Sequence, residues 1–247
     1  MDLDLGSVRF SYRDKEKGIK IPKVLTPELA EDIGIHIGDG SLYRCNHKKT
    51  AYEFNYSSNI NERDYLYYII DLKKKLYNLQ KFRVVNKKGI ELNFIFNSLA
   101  IATFYENVLK IPVGSKVYIA KIPNIIKKSN NKKIIASCIR GIVDTDFCFC
   151  FLNRNGKLYP RLMATFASYN LVKDLEEAFD LLSIKNNVNF YVAKKDKRFN
   201  KFYVGHMITI NGYKRISRYI KLVGFSNPKN IKKLEVGPKR FEFEKHY

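Results

Sequence analysis

The 247-residue chain contains no tryptophan and only three methionines, and it is short of acid: 24 Asp and Glu stand against 45 Lys and Arg. The resulting net charge of +21 at pH 7 excludes a surface balanced in sign. Such an excess repels itself unless a polyanion shares the surface, so nucleic acid is the expected partner and an anionic membrane the rival. Long apolar runs are also missing, since no window approaches the ~18 residues a spanning helix needs. The opening Met1-Asp2-Leu3-Asp4 has neither the basic start nor the apolar core of a secretory signal. The expectation is a cytoplasmic protein with no membrane partner. Four cysteines, Cys45, Cys138, Cys148 and Cys150, include no C-x-x-C pair, so a zinc site is not indicated.

What is present suffices for a sizeable core. The hydrophobic fraction of 45% is ordinary, Tyr and Phe number 17 each, and the length suits one large domain or two small ones. The chain also repeats itself. Asp32-Ile33-Gly34-Ile35-His36-Ile37-Gly38-Asp39-Gly40 matches Ile139-Arg140-Gly141-Ile142-Val143-Asp144-Thr145-Asp146-Phe147 in pattern, with Gly third and Asp eighth in each. Downstream, Phe54-Asn55-Tyr56-Ser57-Ser58 leads into a helical segment with Asp64, as Ala164-Thr165-Phe166-Ala167-Ser168 does with Asp174, at the same Ser-to-Asp spacing. Pro123-Asn124-Ile125-Ile126-Lys127-Lys128 is echoed by Pro228-Lys229-Asn230-Ile231-Lys232-Lys233. Two copies, rather than many, imply a pseudo-twofold molecule and not a solenoid.

Each copy reads α-β-β-α-β-β-α. In the first, Thr26 and Pro27 open a helix running to Gly38. Strands follow over 41–46 and 50–58, a helix over 61–77, strands over 81–87 and 90–96 about a Lys88-Gly89 turn, and a helix over 98–109. The second has a helix over 132–145 and strands over 147–152 and 158–168 about Asn155-Gly156, a strong hairpin signal. A helix over 170–183, strands over 188–195 and 201–210, a helix over 212–222 and a short helix in the tail complete it. The expected class is α+β: two pseudo-symmetric αββαββα repeats, each with a curved antiparallel four-stranded sheet. The first repeat is 1–109, a linker covers 110–130, and the second repeat is 131–247.

Small residues recur every fourth position on both motif helices: Ala30, Gly34 and Gly38, then Ser137, Gly141 and Thr145. Residues four apart share a ridge, and small ridges let two helices approach closely. Glycine inside a helix costs about 1 kcal/mol relative to alanine, so its presence in both copies points to a packing reason. If the helices pair, Asp39 and Asp146 converge at their C-terminal ends. Two carboxylates placed together repel, and the helix ends add negative potential. A hard divalent cation relieves this, typically taking one or two carboxylates with water and phosphate oxygens.

These paired segments resemble the motifs of LAGLIDADG homing endonucleases of the single-chain, two-motif class, archaeal-like, and the similarity extends over roughly 22–235. The resemblance implies a site-specific double-stranded DNA endonuclease with a long target site, hydrolysing phosphodiester bonds with Mg²⁺ (or Mn²⁺) held by one Asp from each motif. It implicates Asp39 and Asp146 as metal ligands, with Gly38 and Thr145 beside them, and Lys116, Lys229, Ser58 and Ser168 as further catalytic candidates. His36, mid-helix, reads as a packed residue, and Phe147 stands where Gly usually ends the motif. The family's sheets lie in the DNA major groove. By strand alternation the outward candidates are Glu53, Asn55, Ser57, Lys81, Arg83, Lys87, Glu91 and Asn93 in the first copy. In the second they are Arg161, Thr165, Tyr191, Lys195 and Tyr203. Tyr52, Phe54, Tyr56, Phe82 and Val84 read as inward. Lys48, Lys49, Arg154, Lys157, Lys197 and Arg198 fall in loops suited to phosphates. Because the pseudo-dyad lies within one chain, a monomer is expected. An intron RNA maturase, with intron RNA as partner, and a catalytically inactive DNA-binding protein are the alternatives on the same fold, and acids in both motifs favour cleavage.

Overall fold

Ser11 and Asp14 exchange side-chain bonds with each other's backbone N–H and open a five-residue helix, α1 (Tyr12–Glu16), that the sequence pattern did not single out. It belongs to a computed structural model describing residues 1–45, 51–196 and 201–237, with the side chains of 194–196 and 201 also outside the description. Thr26 then starts the first motif helix as its residue type dictates: its backbone is extended and its Oγ1 accepts the Leu29 N–H at 3.2 Å. This helix is α2 (Pro27–Gly38), followed by β1 (Gly40–Arg44), β2 (Tyr52–Asn59), α3 (Arg63–Tyr77), β3 (Arg83–Lys87), β4 (Glu91–Phe96) and α4 (Leu99–Thr103). The helix expected over 98–109 is α4 alone and then widens into a π turn over Phe104–Val108.

A short α5 (Asn124–Lys127) lies within the segment read as linker. The second motif helix α6 (Lys132–Asp146) precedes β5 (Cys148–Arg154), β6 (Lys157–Phe166), α7 (Tyr169–Leu181), β7 (Asn187–Asp196), β8 (Lys201–Asn211), α8 (Tyr213–Leu222) and α9 (Pro228–Glu235). The two antiparallel sheets have equivalent orders, β1-β2-β4-β3 and β5-β6-β8-β7, in the expected α+β arrangement. Lys88-Gly89 and Asn155-Gly156 both hold positive φ at the two central positions, the requirement of the turn that matches strand twist. Among the described residues no helix is long and apolar enough to cross a membrane.

The small ridges decide how the copies join. α2 and α6 pack against each other so closely that a Cβ on Gly34 would fall inside the Cys138 carbonyl, and one on Gly141 inside that of Glu31. Any side chain there must push the helices apart. At the same crossing Glu31 forms a clasp: its carboxylate takes the Arg140 guanidinium from α6, the Tyr68 hydroxyl at 2.7 Å and the Ser226 hydroxyl at 2.6 Å.

Beneath the first sheet, Tyr52, Phe54 and Tyr56 are buried as their alternation requires. Among them lies a charge. Lys73 Nζ is 2.7 Å from Asp32 Oδ1, and both side chains are fully buried. Asp32 Oδ2 also accepts the hydroxyls of Tyr77 and Tyr105, and Lys73 donates to Tyr105 at 2.8 Å. The second copy carries Ile139 at the position of Asp32, so only one half has this polar centre.

Val84 is not inward. β3 is an edge strand with all five residues exposed, because α3 packs mainly beneath β2 and β4 and leaves both faces of β3 wet.

Candidate functional site

Asp39 caps the C-terminus of α2, its N–H bonded to Ile35 O at 3.1 Å, and Asp146 is the last residue of α6. Both remain open to solvent. A Cβ on Gly38 would lie 2.6 Å from Asp146 Oδ2 and still nearer Thr145 Oγ1, so the missing side chain is what lets Asp146 reach the last turn of α2. The crowding has an electrostatic consequence. Partial burial, then the neighbouring Asp146, push Asp39 up to about 7, with Lys116 opposing. Burial raises Asp146 to about 6 against Lys116 and the Thr145 hydroxyl. Two acids reluctant to ionise together, at two negative helix ends, form a site that a cation would relieve.

Lys116 completes the cluster. Its Nζ donates to Gly38 O at 2.7 Å and to the carbonyls of His36 and Gly40, capping α2. Half-burial lowers its pKa to about 8 although both acids hold it up. Lys229 has no matching bonds. It pairs with Glu62 at 2.7 Å, across the join between the copies. Glu62 also accepts the Asn227 amide at 3.2 Å and raises Asp39, and with Asp146, Thr145 and Lys229 it lines a cleft of about 200 Å³. No sequence signal marks Glu62, because its role depends on an approach between elements far apart in the chain. Asp144 was legible only as an acid unmatched by Ile37. It is buried and anchors the tail, accepting the N–H groups of Ser226 and Asn227 at 2.6 and 3.1 Å and the Asn230 amide at 3.1 Å.

His36 is packed, as its mid-helix place suggests. Its Nδ1 meets the Tyr56 hydroxyl at 2.8 Å, and burial lowers its pKa well below the usual range. Its ring also explains the ninth motif residue, since a Cβ on Gly40 would strike it. In the second copy Val143 stands at the position of the histidine, and the Phe147 ring is buried against Phe166 and Phe179. Of the two serines, Ser168 is buried and structural: its Oγ accepts from Leu171 N and donates to Ala120 O at 2.6 Å. Ser58 is half-buried with one long bond, to Asn59 O at 3.4 Å. No bond ties either serine to the acid pair.

On the outer sheet faces, Lys81 and Arg83 are exposed, and Arg83 lies 3.6 Å from Glu53, which also holds the Tyr43 hydroxyl. Asn93 has the outward register but is buried, spanned by Ser57 and Glu91 at 2.7 Å each, so it cannot contact a ligand directly. Asn55 and Arg161 are partly exposed, although Asn55 Oδ1 and Arg161 Nε themselves are buried without a hydrogen-bond partner in the protein. Thr165 fits where Gly205 opposite lacks a side chain, and Tyr203 is exposed. Tyr191 is exposed, as its alternation requires. A bulge between Asn189 and Val192 gives it a φ of 57° and turns its ring onto His206 and Tyr169. Arg154 and Lys157 are exposed at the hairpin end. Lys48, Lys49, Lys197, Arg198 and the Lys195 side chain lie outside the described residues.

No family model matches the sequence. A curated relative, a glutamine–fructose-6-phosphate aminotransferase (isomerizing) of Methanocaldococcus jannaschii, is 24% identical over 242 residues; this covers 91% of the chain but only 19% of the relative's length. Solved structures agree with the geometry. A set of mesophilic variants of the homing endonuclease I-DmoI matches with a TM-score of 0.50 and 16% identity, covering 80% of this chain and 95% of that one. An I-DmoI double variant with its nicked target DNA and manganese gives 0.51 at 14% identity, covering 80% and 95%. The LAGLIDADG homing endonuclease I-GzeII with its DNA target gives 0.50 at 11%, covering 85% and 87%. Paired glycine-ridged helices ending in two carboxylates, flanked by two equivalent four-stranded sheets, are the double-motif LAGLIDADG fold, and that is the fold of this chain.

Proposed function

We propose that this protein is a divalent-metal-dependent, site-specific endonuclease of double-stranded DNA, acting as a monomer whose 1–109 and 131–247 repeats, joined by 110–130, each supply one acid. The convergence of Asp39 and Asp146 carries the reading. Among the described residues no three His, Cys, Asp or Glu side chains gather into a metal cage, which argues against a closed structural site. Two solvent-open carboxylates that repel each other suit Mg²⁺, which takes few protein ligands and completes its shell with water and phosphate. When bound there, the metal would supply an activated water and a counter-charge for the leaving oxygen. Asp39 and Asp146 would hold it. Thr145 restrains the Asp146 carboxylate, and the Gly38 carbonyl is already taken by Lys116. Lys116, fixed by three carbonyls beside both acids, would offset charge growing on the phosphate. Asn55 and Arg161, with Lys81, Arg83, Thr165 and Tyr203, would face the bases.

Two measurements test this reading. Duplex binding should weaken steeply with salt, log K falling against log [salt] by about 0.9 per phosphate contacted. A flat plot would rule out a phosphate-tracking surface. Light scattering at micromolar concentration should return the mass of one chain, 28.9 kDa. Cleavage confined to a dimer would show that the two acids of one chain do not form a centre.

A further inference from the structure

Immediately after Lys116 the chain exposes three large apolar residues in succession: Val117 by 57%, Tyr118 by 73% and Ile119 by 55%. Such a run on a protein of charge +21 requires an explanation, because single exposed apolar residues are common and a contiguous trio beside a candidate site is not. The segment is held firmly. Ile119 N and Ala120 N bond to Lys116 O at 3.1 and 2.8 Å, closing a tight turn. On one side Lys116 is clamped to the C-terminal carbonyls of α2. On the other, Ala120 is buried and its carbonyl accepts the Ser168 hydroxyl of the second copy, while Ile122 N bonds to Asp174 at 2.8 Å. The turn therefore bridges the two halves at the end of the helix pair that carries the acids.

We propose that Val117, Tyr118 and Ile119 form an apolar wedge that packs against base steps in the middle of the bound duplex, between the regions covered by the two sheets. This inference rests on the DNA-endonuclease reading. The exposed Lys121 follows the tip with positive charge suited to phosphates, and the tip presents side chains of the kind that unstack a base step and bend DNA. A turn tied to both halves can bear that load. The wedge is single. In the register set by Pro123 and Pro228, the second copy offers Leu222-Val223-Gly224, of which only Leu222 is an exposed apolar side chain, while Val223 is buried and Gly224 turns with φ 73°. Distortion of the duplex is therefore one-sided.

The absence of tryptophan supplies the test. Tyr118→Trp places a unique fluorophore on the tip, and Tyr12→Trp, on α1 at a position 83% exposed, serves as control. The ligand is a fluorescein-labelled duplex recovered by binding selection from a randomised library, used without metal so that it stays uncut. At saturation, followed by fluorescein anisotropy, tip emission should be quenched about twofold and its access to acrylamide should fall about threefold, as stacking on a base requires, with the control unchanged. An unchanged tip signal at saturated anisotropy overturns the wedge and leaves the nuclease reading intact. Failure of the selection to recover any duplex overturns both. Protection without DNA that grows with protein concentration would assign the tip to a second copy of the chain and overturn the wedge.

Discussion

Asp39→Asn and Asp146→Asn should each reduce double-strand cleavage by at least ~10²-fold while leaving binding of the same duplex essentially unchanged. The amide matches the carboxylate in size, so the close packing of α2 and α6 survives, but it lacks the charge that holds a hard cation. Losing one metal contact at a developing charge removes several kcal/mol of transition-state stabilisation, and each 1.36 kcal/mol is tenfold in rate. Affinity should not fall, because a negative group has been removed from a DNA-facing centre. The two variants need not behave alike. Both acids face Lys116, but Asp39 also has Glu62 as a charged neighbour, whereas Asp146 is restrained by Thr145. One variant is therefore free to retain nicking of a single strand. Strand-resolved gels and gel shifts on one duplex decide the matter, and wild-type cutting by either variant would remove that Asp from the active site.

The largest effect on stability is expected at a residue with no part in the chemistry. Lys73→Met should destabilise the fold by about 3–5 kcal/mol, because Asp32 is left buried with an uncompensated charge. For a chain of this size that corresponds to roughly 6–20 °C in Tm. Lys73 is enclosed by aromatic rings, its Nζ 4.8 Å from the centroid of Tyr56 and 5.0 Å from that of Tyr105, so water cannot replace the lost partner. The double variant Lys73→Met/Asp32→Leu should recover much of the loss, since an apolar pair of similar volume substitutes for a buried ion pair at little cost. Thermal melts followed by circular dichroism measure both. An unchanged Tm in the single variant would mean that the buried pair contributes nothing.

Most of the architecture was legible because it depends on local pattern. The four-residue spacing of Ala30, Gly34 and Gly38 against Ser137, Gly141 and Thr145 carries the helix pairing, and Asn155-Gly156 fixes a hairpin. Convergence of Asp39 and Asp146 follows from that pairing and from their place at the C-terminal ends of the two helices. What escaped depends on neighbours remote in sequence. Val84 alternates correctly, but α3 packs mainly beneath β2 and β4 and leaves β3 exposed. Tyr191 is exposed as read, but the bulge that sets its backbone leaves no mark in the sequence. Asn93 has the outward register and is sealed by Ser57 and Glu91. Ser168, a candidate beside the scissile bond by its place in the repeat, is spent on capping α7. Lys116 was found from its place after the first repeat, but its three carbonyl partners, and the asymmetry with Lys229, arise only from the path of the linker. Glu62 and the Lys73–Asp32 pair lie beyond the reach of any single-chain pattern.

The most direct test of the account is to incubate the purified protein with a randomised duplex library and Mg²⁺ and to sequence the cut ends. The account predicts one family of long sites, cut on both strands only when metal is present, and lost with either Asp→Asn variant. Recovery of tightly bound sequences that stay uncut with both Mg²⁺ and Mn²⁺ would contradict it, leaving a DNA-binding protein whose paired acids do no chemistry.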